Sequence, residues 1–168
     1  TKCGYIALLG RPNAGKSTLM NALLGEKLAV VSRKPQTTRN RILGVLNRGD
    51  NQLLFLDTPG VHRTKGTRLN VNLNKVAMAV AGDADAVMYM IDPFLGFTEV
   101  DATFLKSILE RTPGKVILVA SKADKVRAKN MAERKTQLAD AIEAFFEKHS
   151  ELKDKALANL SFVSAKRQ

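Results

Sequence analysis

The chain has 168 residues, enough for one domain whose core needs no disulfide or metal staple. Its 45% hydrophobic and 26% charged content is that of an ordinary globular chain, and no apolar stretch approaches the ~20 residues of a bilayer span. A lone Cys3, with no paired Cys or His ligands, excludes a disulfide framework and a zinc module and suits a reducing cytoplasm. The charge is unusual: 27 Lys and Arg against 16 Asp and Glu give +11, a field that favours polyanions. Aromatics at 5%, with no Trp, argue against a stacking platform for single strands.

In chain order, Tyr5-Ile6-Ala7-Leu8-Leu9 is a continuous apolar run that predicts a buried strand near 4–10. Gly10-Arg11-Pro12-Asn13-Ala14-Gly15-Lys16-Ser17 follows and fills every fixed position of G-x-x-x-x-G-K-[ST]. Thr18 to Leu24 then has helical spacing, predicting a helix near 15–25. A strand, a glycine loop and a helix in that order leave unpaired backbone N–H groups and the positive helix end aimed into one hollow, which is a phosphate site. Gly10, Asn13, Ala14, Gly15 and Thr18 belong to that cradle. Lys16 reaches the β- and γ-phosphates from it, and the Ser17 hydroxyl is a first ligand for Mg²⁺.

The polar stretch 26–40 reads as a long loop, followed by strands near 41–48 and 52–57. Asn47-Arg48-Gly49-Asp50-Asn51 between them is too short for a crossover helix, so these two strands form an antiparallel hairpin. Leu53-Leu54-Phe55-Leu56 ends in Asp57-Thr58-Pro59-Gly60. Asp57 at such a strand tip suits a water-mediated hold on Mg²⁺, and Gly60 offers its N–H to a γ-phosphate. A second polar loop spans 61–68, and a helix is expected near 68–82.

The remaining strands are expected near 86–92, 115–121 and 160–164, with helices near 99–111 and 129–149. Leu138, Ile142, Phe145 and Phe146 fall at helical spacing as core, and Asp92-Pro93 with Gly96 mark a strand end to which no chemistry is assigned. Val116 to Ala120 runs into Ser121-Lys122-Ala123-Asp124. The Asp124 carboxylate is suited to the N1–H and 2-amino donors of guanine, a donor pair adenine lacks, and the Lys122 stem to the base plane. Ser164-Ala165-Lys166 forms a last loop that presents a backbone N–H to the guanine carbonyl. Alternation of strands and helices gives an α/β fold, a mostly parallel six-stranded sheet with one antiparallel strand and helices on both faces.

With these four segments the chain resembles the translation-factor-related P-loop GTPases. Ser32-Arg33-Lys34-Pro35-Gln36-Thr37-Thr38-Arg39, followed by Arg41-Ile42-Leu43-Gly44-Val45, narrows the resemblance to the Era-type ribosome-assembly GTPases. Der-like and tRNA-modification GTPases share the phosphate loop and are the rivals within the class. The resemblance implies the three-layer P-loop GTPase fold, with GTP or GDP and Mg²⁺ bound and GTP hydrolysed slowly. Thr38 would supply a second Mg²⁺ ligand from the first switch, and Gly60 would sense the γ-phosphate. Val61 stands where many GTPases carry the glutamine that orients water; several relatives sharing this replacement use K⁺, for which Asn13 would be the matching ligand. Lys16, Thr38, Gly60 and Asn13 are thus the expected catalytic set, and Ser17, Thr38 and Asp57 the metal set.

One departure is evident: the guanine motif N-K-x-D has Ser121 in place of its asparagine, which predicts weaker guanine binding. The implied partners are a guanine nucleotide, 16S rRNA and the small ribosomal subunit, in the cytoplasm, with peripheral contact at the membrane's inner face as a further option. A nucleotide-gated RNA- or membrane-surface adaptor with negligible hydrolysis is the alternative from another class. A domain of this family continues into a final helix, and Era-type chains into a K-homology RNA-binding domain. Residues 1–168 are accordingly expected to be a GTPase domain cut before that helix.

Overall fold

The structure is a computed structural model that describes residues 2–25, 42–56, 58, 68–122, 128–157 and 160–164. Six strands, β1 (Lys2–Gly10), β2 (Ile42–Arg48), β3 (Asn51–Leu56), β4 (Ala86–Ile91), β5 (Lys115–Ala120) and β6 (Ser161–Phe162), form one sheet in the order β2-β3-β1-β4-β5-β6. All neighbours run parallel except β2 and β3, which pair antiparallel through a two-residue turn in which Gly49 has φ 55°. The hairpin expected from the short link is therefore present, with a register shift between Ile42 and Gly44. Both long loops, 26–40 and 61–68, lie almost wholly outside the described residues.

Period-two alternation splits the strands between two cores. Ala7, Leu9, Leu56, Val87, Tyr89, Ile91, Val116, Leu118 and Ala120 pack on one face. They meet α2 (Arg68–Asp83), α3 (Glu99–Arg111) and α4 (Ala128–Lys148), the last through Leu138, Ile142, Phe145 and Phe146 as the spacing predicted. Leu8, Phe55, Met90 and Val119 face the other way, onto Leu19, Met20 and Leu24 of α1 (Lys16–Leu24). Ile6, Leu53, Met88, Ile117 and Val163 on this second face are only partly buried. The helices expected from the sequence are all present. A 3₁₀ helix at Ser150–Lys155 was not foreseen, because six residues are too few to carry a helical period.

The α3 end of the sheet is fixed by one carboxylate. Asp101, 1% exposed, accepts the Tyr89 hydroxyl at 3.0 Å and the Thr98 N–H and hydroxyl at 3.0 and 2.7 Å, closing a capping box on α3. Burial first, and the Asp101 charge second, push the Tyr89 hydroxyl well above its ordinary pKa, so it remains a donor across the physiological range.

β1 has β3 on one side and β4 on the other, so the chain changes direction across the sheet at β1. In open α/β sheets ligands bind beyond the carboxyl ends of the strands at such a switch point. The phosphate loop leaves β1 there.

Candidate nucleotide site

The loop from Gly10 to Lys16 is shaped by residues whose conformations other side chains resist. A Cβ on Gly10 would stand 2.5 Å from the Met90 carbonyl oxygen, so β1 and β4 approach this closely only with glycine. Asn13 and Gly15 have φ 61° and 87°, the left-handed region that Asn and Gly tolerate best. The loop is closed by the Ala14 N–H donating to the Arg11 carbonyl at 3.2 Å, and α1 begins with the Leu19 N–H donating to Gly15 at 2.9 Å. No side chain caps α1 and no acidic residue lies in its first turn. The positive end of its dipole therefore faces the loop with no carboxylate of its own turn beside it, which favours an anion there.

Lys16 folds over this rim. Its ammonium donates to the Gly10 carbonyl at 3.0 Å and to the Arg11 carbonyl at 2.9 Å, which fixes the charge above the loop. Ser17 and Thr18 are exposed on the first turn of α1, and Asn13 is exposed on the loop. Of the oxygen ligands expected for Mg²⁺, only Ser17 is described; its hydroxyl on the first turn of a helix facing an anion hollow suits a hard, oxygen-seeking cation. Thr38, Asp57 and Gly60 lie outside the described residues, as do Asp124, Ala165 and Lys166. Among the described residues no group of three or more His, Cys, Asp or Glu could hold a metal.

Thr58, inside the D-x-x-G segment, is 7% exposed, and its hydroxyl donates to the Leu8 carbonyl of β1. Thr58 is thereby tied to the strand that carries the phosphate loop. Sequence reasoning gave Thr58 no role, since the bond spans 50 residues.

Ser121 lies at the end of β5, 3% exposed. Its hydroxyl donates to the Ala14 carbonyl at 2.5 Å and lies 3.3 Å from the Ile91 carbonyl. The serine that replaces the motif's asparagine thus still braces the phosphate loop. Its single proton is engaged there, and none is left for a base. Replacing Ser121 by alanine strands the buried Ala14 carbonyl, a loss of about 1–3 kcal/mol. Thermal unfolding of Ser121→Ala, with and without GDP, is expected to show a lower midpoint and a smaller ligand-induced rise.

Beyond β5, the Val163 N–H donates to the Ala120 carbonyl at 2.9 Å, which holds Val163 beside the end of β5, with Ser164 exposed after it. Two further connections were not read from the sequence. The Arg11 guanidinium stands 3.9 Å from Asp101, linking the loop to α3, and the Lys122 ammonium donates to Asp92 at 2.7 Å. An acidic residue closing a buried strand was the available signal for Asp92.

Residues 5–122 match the sequence model of the 50S ribosome-binding GTPases. The chain belongs to this family. GTPase Era of Azotobacter vinelandii is 45% identical over 128 residues, which is 76% of this chain and 42% of that protein. GTPase Era of Pseudomonas fluorescens is 44% identical over 129 residues, 77% of this chain and 42% of that protein. The chain therefore spans less than half the length of these curated relatives. A crystal structure of Era with MgGDPNP and nucleotides 1506–1542 of 16S ribosomal RNA superposes with a TM-score of 0.71 at 36% identity, over 98% of this chain and 52% of that one. A variant of Aquifex aeolicus Era bound to GDP and aluminium fluoride gives 0.70 at 36% identity, with the same coverage. The three-layer P-loop GTPase fold and the Era-type likeness read from the sequence are both borne out.

Proposed function

We propose that this chain is the GTP-binding and GTP-hydrolysing part of a switch acting in small-subunit ribosome assembly. The observation that carries the reading is the phosphate loop: left-handed Asn13 and Gly15, the Lys16 ammonium over the rim, an uncapped α1, and a brace from the guanine motif at Ser121. The family's description names the large subunit, but the solved Era chain that superposes on this one carries 16S RNA. The net charge of +11 favours such a partner. A peripheral contact with the membrane's inner face would draw on the same charge. Among the described residues no helix is long and apolar enough to cross a membrane.

In this reading the backbone amides from Asn13 to Thr18 and the Lys16 ammonium hold the β- and γ-phosphates. Ser17 and Thr38, with Asp57 through water, would hold Mg²⁺, which would supply neutralisation of the charge on the phosphates. Gly60 senses the γ-phosphate. Ser121, Lys122, Asp124 and the Ser164-Ala165-Lys166 loop form the base site, with Asp124 selecting guanine. Val61 has no group to orient the attacking water, so intrinsic turnover is slow. Asn13, exposed on the loop, is the residue we assign to a stimulating K⁺.

The test is GTP hydrolysis with Mg²⁺ in potassium and in sodium buffer, with ATP as control. The expected outcome is turnover of GTP alone, faster in potassium. Equal rates in both salts would remove the K⁺ role of Asn13 and leave the rest. Tight GTP binding without turnover in either salt would replace the enzyme by a nucleotide-gated binding module.

A further inference from the structure

The Asp92 carboxylate, just beyond β4, is 11% exposed and its two oxygens hold different groups. Oδ1 accepts the Phe94 N–H at 3.0 Å, and the Leu95 and Gly96 amides donate to the Asp92 carbonyl at 3.1 and 3.0 Å. Asp92 is thus held by its own turn, independently of what Oδ2 does. Oδ2 accepts the Lys122 ammonium at 2.7 Å from a residue 30 positions away. Lys122 itself has φ 55°, a backbone conformation uncommon for a long side chain. Its Cγ stands 3.8 Å from where a Cβ on Gly15 would lie, so the stem runs beside the phosphate loop.

Both ends of the lysine are therefore determined, by the left-handed backbone at one and by Asp92 at the other. We propose that Asp92 is a positioning residue of the base pocket: its carboxylate holds the Lys122 stem in place as the apolar wall against which a guanine ring lies. The inference rests on the guanine-nucleotide reading above. Its physical content is preorganisation. A free lysine would have to be ordered when the base arrives, and that cost is removed in advance. With the Ser121 proton engaged by the Ala14 and Ile91 carbonyls, the fixed lysine carries a larger share of base binding.

The test is titration of the chain with GDP, and with inorganic triphosphate as a ligand that has no base. Wild type, Asp92→Ala, Asp92→Asn, Lys122→Met and the Asp92→Ala/Lys122→Met double variant are compared. Asp92→Ala is expected to weaken GDP about tenfold, the effect of losing one charged hydrogen bond, and to leave triphosphate unchanged. Asp92→Asn keeps one oxygen to accept the Phe94 N–H but turns an NH₂ donor toward the Lys122 ammonium, so it is expected to weaken GDP as much as Asp92→Ala does while the turn stays closed. In the Lys122→Met background, Asp92→Ala is expected to add nothing. Undiminished GDP affinity in Asp92→Ala, equal loss for GDP and triphosphate, or full loss in the Lys122→Met background would each overturn the inference. Failure of the wild type to bind GDP would remove the guanine-nucleotide reading itself, and the inference with it.

Discussion

Replacing Lys16 by alanine is expected to lower guanine nucleotide affinity at least about a hundredfold while leaving the fold intact. The Lys16 ammonium donates to the Gly10 and Arg11 carbonyls at 3.0 and 2.9 Å, so its charge is held over the loop before any ligand arrives. A phosphate entering that hollow meets a charge already in place, and charged hydrogen bonds are each worth about 1.5–3 kcal/mol. The ammonium's contact with the phosphates comes to roughly 3 kcal/mol, the upper part of that range because both partners are charged, and each 1.4 kcal/mol is tenfold in affinity. Lys16 is also the first residue of α1, where alanine is an excellent helix former, so the melting temperature of the free chain should change little. Calorimetric titration with GDP beside thermal unfolding separates the two effects. A variant that binds GDP as tightly as wild type would mean that the backbone cradle alone suffices.

Gly114→Ala is expected to destabilise the chain by about 3 kcal/mol or more, although it lies far from the phosphate loop. A Cβ there would stand 1.7 Å from the Asp85 carbonyl oxygen and 2.5 Å from the Asp85 carbonyl carbon. Both are backbone atoms, fixed where β4 and β5 begin in register at Ala86 and Lys115, so no rotamer change can make room. For a chain of this size the loss corresponds to a fall of roughly 10 °C in melting temperature. Gly82→Ala is the contrasting variant: it lies in α2, a Cβ there meets nothing within 4 Å, and alanine is the better helix former. It is expected to stabilise by about 0.5–1 kcal/mol. A Gly114→Ala chain as stable as wild type would show that the β4 and β5 starts can separate without cost.

These two positions mark what was legible in the sequence. Lys16 stands in a contiguous motif, and the role we expect of it follows from spacing alone. Gly114 carries no such signal, because its neighbour Asp85 is brought to it by strand pairing. The same division runs through the site. The strand–loop–helix around residues 10–17, the hairpin through the link 47–51 and the buried strand ends were readable, since burial and turn chemistry act over a few residues. Asp92 was read as a mere strand end, although its carboxylate holds Lys122.

Ser121 shows the boundary within one residue. Its identity in the sequence carries only the expectation of a shorter reach toward a base. That it retains the brace on the loop depends on the Ala14 carbonyl, 107 residues away in sequence and 2.5 Å away in space. The sequence alone therefore determined the order of strands and helices, the strand–loop–helix around the G-x-x-x-x-G-K-[ST] pattern and the Era-type likeness, because periodicity and contiguous motifs are local properties of the chain. Only the tertiary structure decided which side chains fix the loop and the Lys122 ammonium. Those bonds join strand ends that become neighbours only when the β2-β3-β1-β4-β5-β6 order is assembled.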